Sequence, residues 1–110
     1  MVFNREILLE RTMGDEELAR DVAAGFIADL PKMLSALKED FARGDIESIW
    51  KQAHRLKGST ANVGGETLRD VALEIGQAGR AGNLTAVTRW MPDLEIQTAS
   101  LHDVLEQWAI

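Results

Sequence analysis

One short segment of the chain concentrates the side chains that could do chemistry. His54 lies three residues before Lys57 and four before Gly58. Lys51 and Arg55 add two positive charges to the same stretch, and residues three or four apart are neighbours on a helix surface. A neutral imidazole nitrogen can act as a nucleophile, and a nearby ammonium group can neutralise charge on phosphoryl oxygens during transfer. The segment therefore predicts a site for a phosphate group or an acidic partner.

Gly58 is the least ordinary residue of this segment. A glycine inside a helix costs about 1 kcal/mol relative to alanine, and the close approach of another molecule beside the imidazole would explain it. A second interpretation stays open on residue types alone, because positive side chains commonly line a solvated helix face and glycine can relieve crowding. The other histidine, His102, lies beside Asp103, and we expect it to be solvated or partly packed.

Length and composition limit the classes of protein to which the chain can belong. Its 110 residues fit one domain over residues 1–110. The formal net charge of −6 disfavours binding to nucleic acid or to an anionic membrane surface. The lack of cysteine excludes a disulfide scaffold and a cysteine nucleophile. No apolar run approaches the roughly 18 residues that span a bilayer and the N-terminus is unlike a signal peptide, which predicts a cytoplasmic protein.

Apolar residues recur with helical periodicity, and strand signals are missing. We expect a short helix over residues 4–13 that is closed by Gly14, and a long second helix from Asp15. Pro31 either bends that helix or begins a new one, and Asp45 is a good N-cap for the next. The positions expected to be buried in these helices include Leu18, Val22, Phe26, Leu30, Leu37, Ile49, Ala53, Leu56, Thr60 and Val63.

Two further helices are expected after the break at Gly64 and Gly65, the last of them bent or interrupted at Pro92. Four long amphipathic segments joined by short loops pack as antiparallel neighbours. The sequence therefore predicts an all-α protein, an antiparallel up-down four-helix bundle with an additional short N-terminal helix. The apolar positions expected in the last two helices include Leu68, Val71, Ala72, Ile75, Leu84, Val87, Trp90, Met91, Leu94, Ile96, Leu101, Val104, Leu105 and Trp108.

A longer pattern surrounds His54. Residues 53–64 read A-H-R-L-K-G-S-T-A-N-V-G, which resembles the A-H-x-L-K-G-[SA]-[SA]-x-x-[VIL]-G signature of histidine-containing phosphotransfer (HPt) domains of bacterial phosphorelays. The resemblance extends over nearly the whole chain. Its further landmarks lie at residues 8–11, 14–15, 26–31, 44–45 and 94–95.

The resemblance implies a role for each residue of the signature. His54 is then the phosphoacceptor, through the ring nitrogen farther from the backbone, Lys57 stabilises the phosphoryl charge, and Gly58 leaves room for the partner. The implied partners are response-regulator receiver domains, whose own acidic site supplies Mg²⁺, so the domain itself needs neither a cofactor nor ATP and is not an enzyme. The residues expected to contact the receiver are Trp50, Lys51, Arg55 and Ala61.

The sequence departs from the family in one respect. Some relatives orient the imidazole through a polar side chain on the following helix, and Gly76 stands at about that place here. Gln77, water or no group at all would then orient the ring.

Two functions remain open. The chain either accepts a phosphoryl group from one receiver aspartate and passes it to another, or docks a receiver without transfer. An autonomous kinase or phosphatase is disfavoured, because neither G-x-x-x-x-G-K-[ST] nor G-x-G-x-x-G occurs. The chain is expected to be a monomer, as a small protein or as the C-terminal domain of a hybrid sensor histidine kinase.

Overall fold

Five helices make up the molecule. The computed structural model describes residues 1–109, and no strand occurs among them. The helices are, in chain order, α1 (Arg5–Arg11), α2 (Glu16–Ala42), α3 (Ile46–Asn62), α4 (Glu66–Arg80) and α5 (Leu84–Ala109). Helix α3 packs on α4, α4 on α5, and α2 on both α3 and α5, while α1 lies against α2 and α3. The all-α up-down four-helix bundle with an additional short N-terminal helix is confirmed.

The four long helices are unequal in length. Helices α2 and α5 have 27 and 26 residues, whereas α3 and α4 have 17 and 15. At 1.5 Å per residue α2 spans about 40 Å, which matches the 41 Å long axis of the molecule. Because α3 turns back after Gly44, it ends roughly 15 Å short of the first residue of α2. The first turns of α2 and the last turns of α5 therefore extend beyond α3. There Arg20 Nη1 donates a hydrogen bond of 2.6 Å to the Trp108 carbonyl oxygen.

Side-chain caps define the starts of α2 and α3. Asp15 accepts a hydrogen bond from the Leu18 amide at 3.0 Å. Asp45 accepts hydrogen bonds from the amide of Ser48 at 3.2 Å and from its hydroxyl at 2.8 Å. The side-chain hydrogen bond from Ser48, followed by the backbone one, lowers the pKa of Asp45, because both favour the charged carboxylate. The N-cap predicted at Asp45 is confirmed.

Neither proline ends a helix. Pro31 lies inside α2 and Pro92 inside α5, so the alternatives of a restart at either residue are wrong. Both prolines are exposed. Each proline ring therefore faces solvent, and the helix continues through it without a clash in the core.

The turns around α1 and α3 depend on left-handed residues. Helix α1 is shorter than predicted, because Met13 already has φ +55° before Gly14 at φ +76°. Gly64 at φ +76° ends α3, and its carbonyl oxygen accepts a hydrogen bond of 2.7 Å from the Asn4 amide. A Cβ at Gly64 would lie 2.2 Å from the Asn4 carbonyl oxygen. The N-terminal segment thus closes over the α3–α4 turn at a position where only glycine fits.

The buried face of α2 differs from the predicted one. Leu18 and Val22 are exposed, at 42% and 38%, whereas Ala19 and Ala23 are fully buried. At 100° per residue the buried apolar residues of α2 fall within about 60° of arc, and Leu18 lies about 100° away from their centre. Three apolar positions predicted to be buried in α5 are also exposed, namely Leu84, Ile96 and Val104. The other buried positions of α2 are Phe26, Leu30, Leu37 and Asp40.

Candidate functional site

The packing of α3 decides where His54 points. The buried residues of this helix are Ile49, Ala53, Leu56 and Thr60, and Val63 follows them at its end. His54 comes one residue after the buried Ala53 and is turned about 100° away from the core. Its side chain is exposed, as the sequence predicted. An imidazole in this position can be reached by a second protein.

An open pocket of about 230 Å³ lies beside His54, between α3 and α4. Helix α3 contributes Trp50, His54 and Lys57 to it. Two of the predicted neighbours of the histidine, Trp50 and Lys57, therefore share one pocket with it, whereas Gly58 does not line that pocket. The residues contributed by α4 are Ala72, Leu73, Gly76, Gln77 and Arg80.

Aromatic and cationic groups are stacked in this pocket. The rings of Trp50 and His54 have centroids 6.1 Å apart and an interplanar angle of 22°. The guanidinium carbon of Arg80 lies 5.3 Å from the centroid of the Trp50 ring. Both distances fall within the ranges of aromatic stacking and cation–π contact. Trp50 is half-buried and thus joins the histidine of α3 to an arginine of α4.

Two glycines of α4 bring that helix close to α3. A Cβ at Gly79 would lie 3.3–3.4 Å from the backbone nitrogen and Cα of Trp50, which is tighter than ordinary contact. A Cβ at Gly76 would lie 3.7 Å from the Ala53 Cβ, an ordinary distance. Gly79 therefore permits the close packing at Trp50, while Gly76 leaves the wall of the pocket beside the histidine without a side chain.

No polar side chain holds the His54 ring. Among the hydrogen bonds of residues 1–109, none involves the His54 imidazole. Gln77 lines the same pocket but makes no such bond. The contact that the ring does make is the stack on Trp50.

Gly58 has no internal reason for lacking a side chain. It is exposed in α3, and a Cβ placed there would meet nothing within 4 Å. Relief of crowding between helices therefore does not explain this glycine.

The positive charges of α3 differ in their surroundings. Lys51 Nζ lies 3.2 Å from Glu47 Oε1, one turn earlier, which partly neutralises its charge. Arg55 is exposed and Lys57 is half-buried, and no ion pair of the described residues includes either. Ala61 is half-buried near the end of the same helix. Among the basic residues of α3, Arg55 and Lys57 therefore contribute most of the positive charge, and Arg80 of α4 adds to it in the same pocket.

The second histidine lies outside the pocket. His102 Nδ1 is 3.4 Å from carboxylate oxygens of Asp103 and Glu106, and its side chain is 32% exposed. This agrees with the expectation of a partly packed residue. Over residues 1–109, no three acidic, histidine or cysteine side chains are grouped in a way that could hold a metal ion.

Sequence reasoning placed Gly76 and Gln77 of α4 beside the histidine, where both line the pocket, but it missed Arg80. Arg80 reaches Trp50 only because two helices come together, which no spacing along one helix reveals. The available signal was the pair Gly76 and Gly79, which share one face of α4 at i,i+3 and lie just before Arg80.

A family model and two solved structures match most of this chain. A family model described as the Hpt domain matches residues 21–108. The fold resembles histidine-containing phosphotransfer protein B (HptB) from Pseudomonas aeruginosa PAO1, with a TM-score of 0.90, 20% identity and coverage of 98% of this chain and 94% of that one. It also resembles the HPT domain of a sensor hybrid histidine kinase from Shewanella, with a TM-score of 0.85, 16% identity and coverage of 96% and 92%.

A curated relative is similar over most of this chain. The phosphorelay intermediate protein rdeA of Dictyostelium discoideum is 22% identical over 106 residues, which are 96% of this chain and 42% of that protein. This chain therefore spans less than half the length of that relative. Within the described part of the chain, no helix combines the length and apolar character needed to cross a membrane.

Proposed function

This chain belongs to the Hpt domain family, and on that premise we propose that it carries a phosphoryl group on His54 between receiver domains of a phosphorelay. The observation that supports the proposal most directly is an exposed imidazole in mid-helix that shares a pocket with Lys57. A carrier of this kind takes its phosphoryl group from another protein rather than from ATP.

The bond-making part of the transfer step needs one nucleophilic nitrogen. Neutral His54 Nε2 attacks the phosphorus of a receiver aspartyl phosphate. The N–P bond forms as the P–O bond to the aspartate breaks, and the carboxylate leaves with the bonding electron pair. The proton on Nδ1 stays in place. The reverse reaction with a second receiver passes the group onward.

Positioning and charge account for most of the catalysis in such a step. The ammonium group of Lys57 neutralises charge on the phosphoryl oxygens as they move between proteins. Gly58 lets the receiver backbone approach the imidazole closely, which its open surroundings support. The receiver's acidic site holds the Mg²⁺, because carboxylates are the ligands that this ion prefers, and the present domain takes no cofactor of its own.

The surface around His54 suits an acidic partner. Arg55 and Lys57 supply positive charge in a chain of net charge −6, and such a local field steers association and fixes orientation. Lys51 adds less, because Glu47 pairs with it. Trp50 and Ala61 provide apolar contact area. The donor is a receiver domain of the kind that hybrid histidine kinases carry.

The decisive experiment follows a radiolabelled phosphoryl group. A phosphorylated receiver is mixed with the wild type, with His54→Gln and with His102→Gln, which is a matched control because the chain has only two histidines. We expect acid-labile, alkali-stable label in the wild type and in His102→Gln, and none in His54→Gln. Label retained by a folded His54→Gln protein would refute the assignment. Receiver binding without labelling of the wild type would leave a docking module instead.

A further inference from the structure

The orientation of the His54 ring is an open problem in this fold. In-line transfer requires Nε2 to face the incoming phosphorus, and small errors of position are expensive in rate. An exposed imidazole turns about two side-chain bonds, and rotation about the second is broad. No hydrogen bond within residues 1–109 restricts the ring. Among the described residues, this leaves a packing contact as the means of orienting it.

Trp50 makes that contact. It lies four residues before His54 and therefore on the same face of α3. The two rings are nearly parallel, at 22°, with centroids 6.1 Å apart. This separation is typical of offset aromatic pairs, which favour one relative arrangement of the rings. A ring stacked in this way loses much of its freedom about the second side-chain bond.

The indole ring is itself fixed by α4. The Arg80 guanidinium lies 5.3 Å from the ring centroid, a cation–π contact. Gly79 allows the α4 backbone to pack closely on the backbone of Trp50. A Cβ at Gly79 would lie only 3.3–3.4 Å from the nitrogen and Cα of Trp50. Gly79 and Arg80 also line a second hollow against the same tryptophan. A rigid neighbouring helix thus sets the plane on which the imidazole rests.

From this geometry we infer that Trp50 is a positioning residue for His54, and that its indole, held by Arg80, replaces a hydrogen bond from α4 as the group that orients the imidazole. The inference rests on the proposed phosphotransfer function. Trp50 does not touch the phosphoryl group, and it affects the transfer rate only through the histidine, apart from any contact that it makes with the receiver. Gly76, by lacking a side chain, leaves the neighbouring side of the ring open.

The stack can be tested without any partner. The protein has two histidines, so an imidazole-selective NMR spectrum contains the signals of His54 and of His102 as an internal reference. Trp50→Leu removes the aromatic ring and keeps apolar volume, whereas Trp50→Phe keeps a ring. We expect Trp50→Leu to move the His54 carbon-bound proton signals through loss of the indole ring current, with His102 unchanged. Unmoved His54 signals in Trp50→Leu would overturn the inference.

The positioning role is tested by separating rate from affinity. At saturating receiver, where the contact of Trp50 with the receiver no longer limits transfer, Trp50→Leu should lower the transfer rate constant about tenfold. Trp50→Phe should restore most of the rate. A Trp50→Leu protein that loses affinity and keeps its saturated rate would show a docking residue and overturn the inference. Equal rates in Trp50→Leu and the wild type would also overturn it.

Arg80 provides a second variant that leaves α3 unchanged. Arg80→Ala should move the His54 signals in the same direction as Trp50→Leu and slow transfer by a smaller factor. Arg89→Ala is the matched control, because Arg89 is an exposed arginine on α5 that does not line the pocket. Identical behaviour of the two variants would remove Arg80 from the inference. If the wild type takes no label at all, the proposed function fails, while the NMR comparison still reports on the stack.

Discussion

Substitutions at Gly58 can show separately its effect on the stability of the fold and its effect on access of the partner. Its Cβ position is open, and alanine is favoured over glycine within a helix. Gly58→Ala should therefore raise the free energy of unfolding by about 0.5–1 kcal/mol, measured by chemical denaturation. Gly25→Ala is the matched control, since Gly25 is also exposed inside a helix with nothing within 4 Å. A loss of stability in Gly58→Ala alone would mean that the position is strained.

A larger side chain at the same position tests access. Gly58→Leu should fold, because the surrounding space is open, yet weaken receiver binding about tenfold or more by steric exclusion, since extra methylene groups forced into well-packed contacts cost about 1–3 kcal/mol. Calorimetry with an unphosphorylated receiver measures this directly. Equal affinity of Gly58→Leu and the wild type would show that the glycine serves no partner.

The sequence predicted which side chains lie together on one face of α3, but it did not predict the contact between Trp50 and Arg80 of α4. The spacing of Trp50, His54 and Lys57 placed them on one face of α3, which the structure confirms. Arg80 enters the same pocket from α4, and its position depends on how two helices pack. Periodicity reports on one element at a time, so it gives no distance between elements.

At the scale of elements, Gly64 and Gly82 offer a matched pair. Both have a left-handed backbone, with φ +76° and +71°, but a Cβ at Gly64 would strike the Asn4 carbonyl oxygen, whereas one at Gly82 would meet nothing within 4 Å. Gly82→Ala should lower the free energy of unfolding by about 1–2 kcal/mol, the cost of the left-handed conformation. Gly64→Ala should lower it further, because the N-terminal segment must also move.

The contrast between the two variants has a local readout. Amide exchange at Asn4 and Thr67 should speed up in Gly64→Ala, since their amides donate to Gly64 and Met1 carbonyl oxygens across this junction. The Gly82→Ala protein should keep the exchange rates of the wild type at both amides. Equal destabilisation of the two variants would contradict a specific role for the Asn4 contact.

The predicted burial of Leu18 and Val22 in α2 was wrong for a geometric reason. Leu18, Val22, Phe26 and Leu30 are spaced by four residues, and each such step drifts about 40° around the helix. The stripe therefore leaves the core towards the N-terminus, where Ala19 and Ala23 take its place. Small residues carry a weak hydrophobic signal, so their burial is set by tertiary packing rather than by the pattern. The same limit applies to Ile96, which is exposed despite its type.

At the scale of the whole molecule, the surface area matches that of a compact monomer. The accessible area is 6190 Å², and a monomeric protein of 12.2 kDa has about 6,100 Å². We expect light scattering to give 12.2 kDa at all protein concentrations, because the exposed apolar residues are spread over several helices. A molar mass that rises with concentration would contradict this. The large exposed apolar residues on the helices are Leu18, Val22, Leu73, Leu84, Ile96 and Val104, and Met1 and Met13 are exposed outside them.

The fold class could be predicted from the sequence, but the relative lengths of the helices could not. Helical periodicity with glycine at the turns predicted the bundle, since each long helix has one apolar face. The continuity of α2 and α5 through Pro31 and Pro92 was not decided by the sequence, because an exposed proline can bend a helix without ending it. That continuity is what makes these two helices longer than their neighbours.

Because α2 and α5 are longer than α3 and α4, one end of the molecule lies far from the histidine. His54 lies eight residues into α3, about 12 Å from the end of the bundle at which α3 begins, while the long axis measures 41 Å. The opposite end, where Arg20 meets the Trp108 carbonyl, is therefore almost 30 Å from the histidine along that axis. A fluorophore or a surface linker attached there would follow the histidine as part of one body, yet stay clear of any protein that covers it.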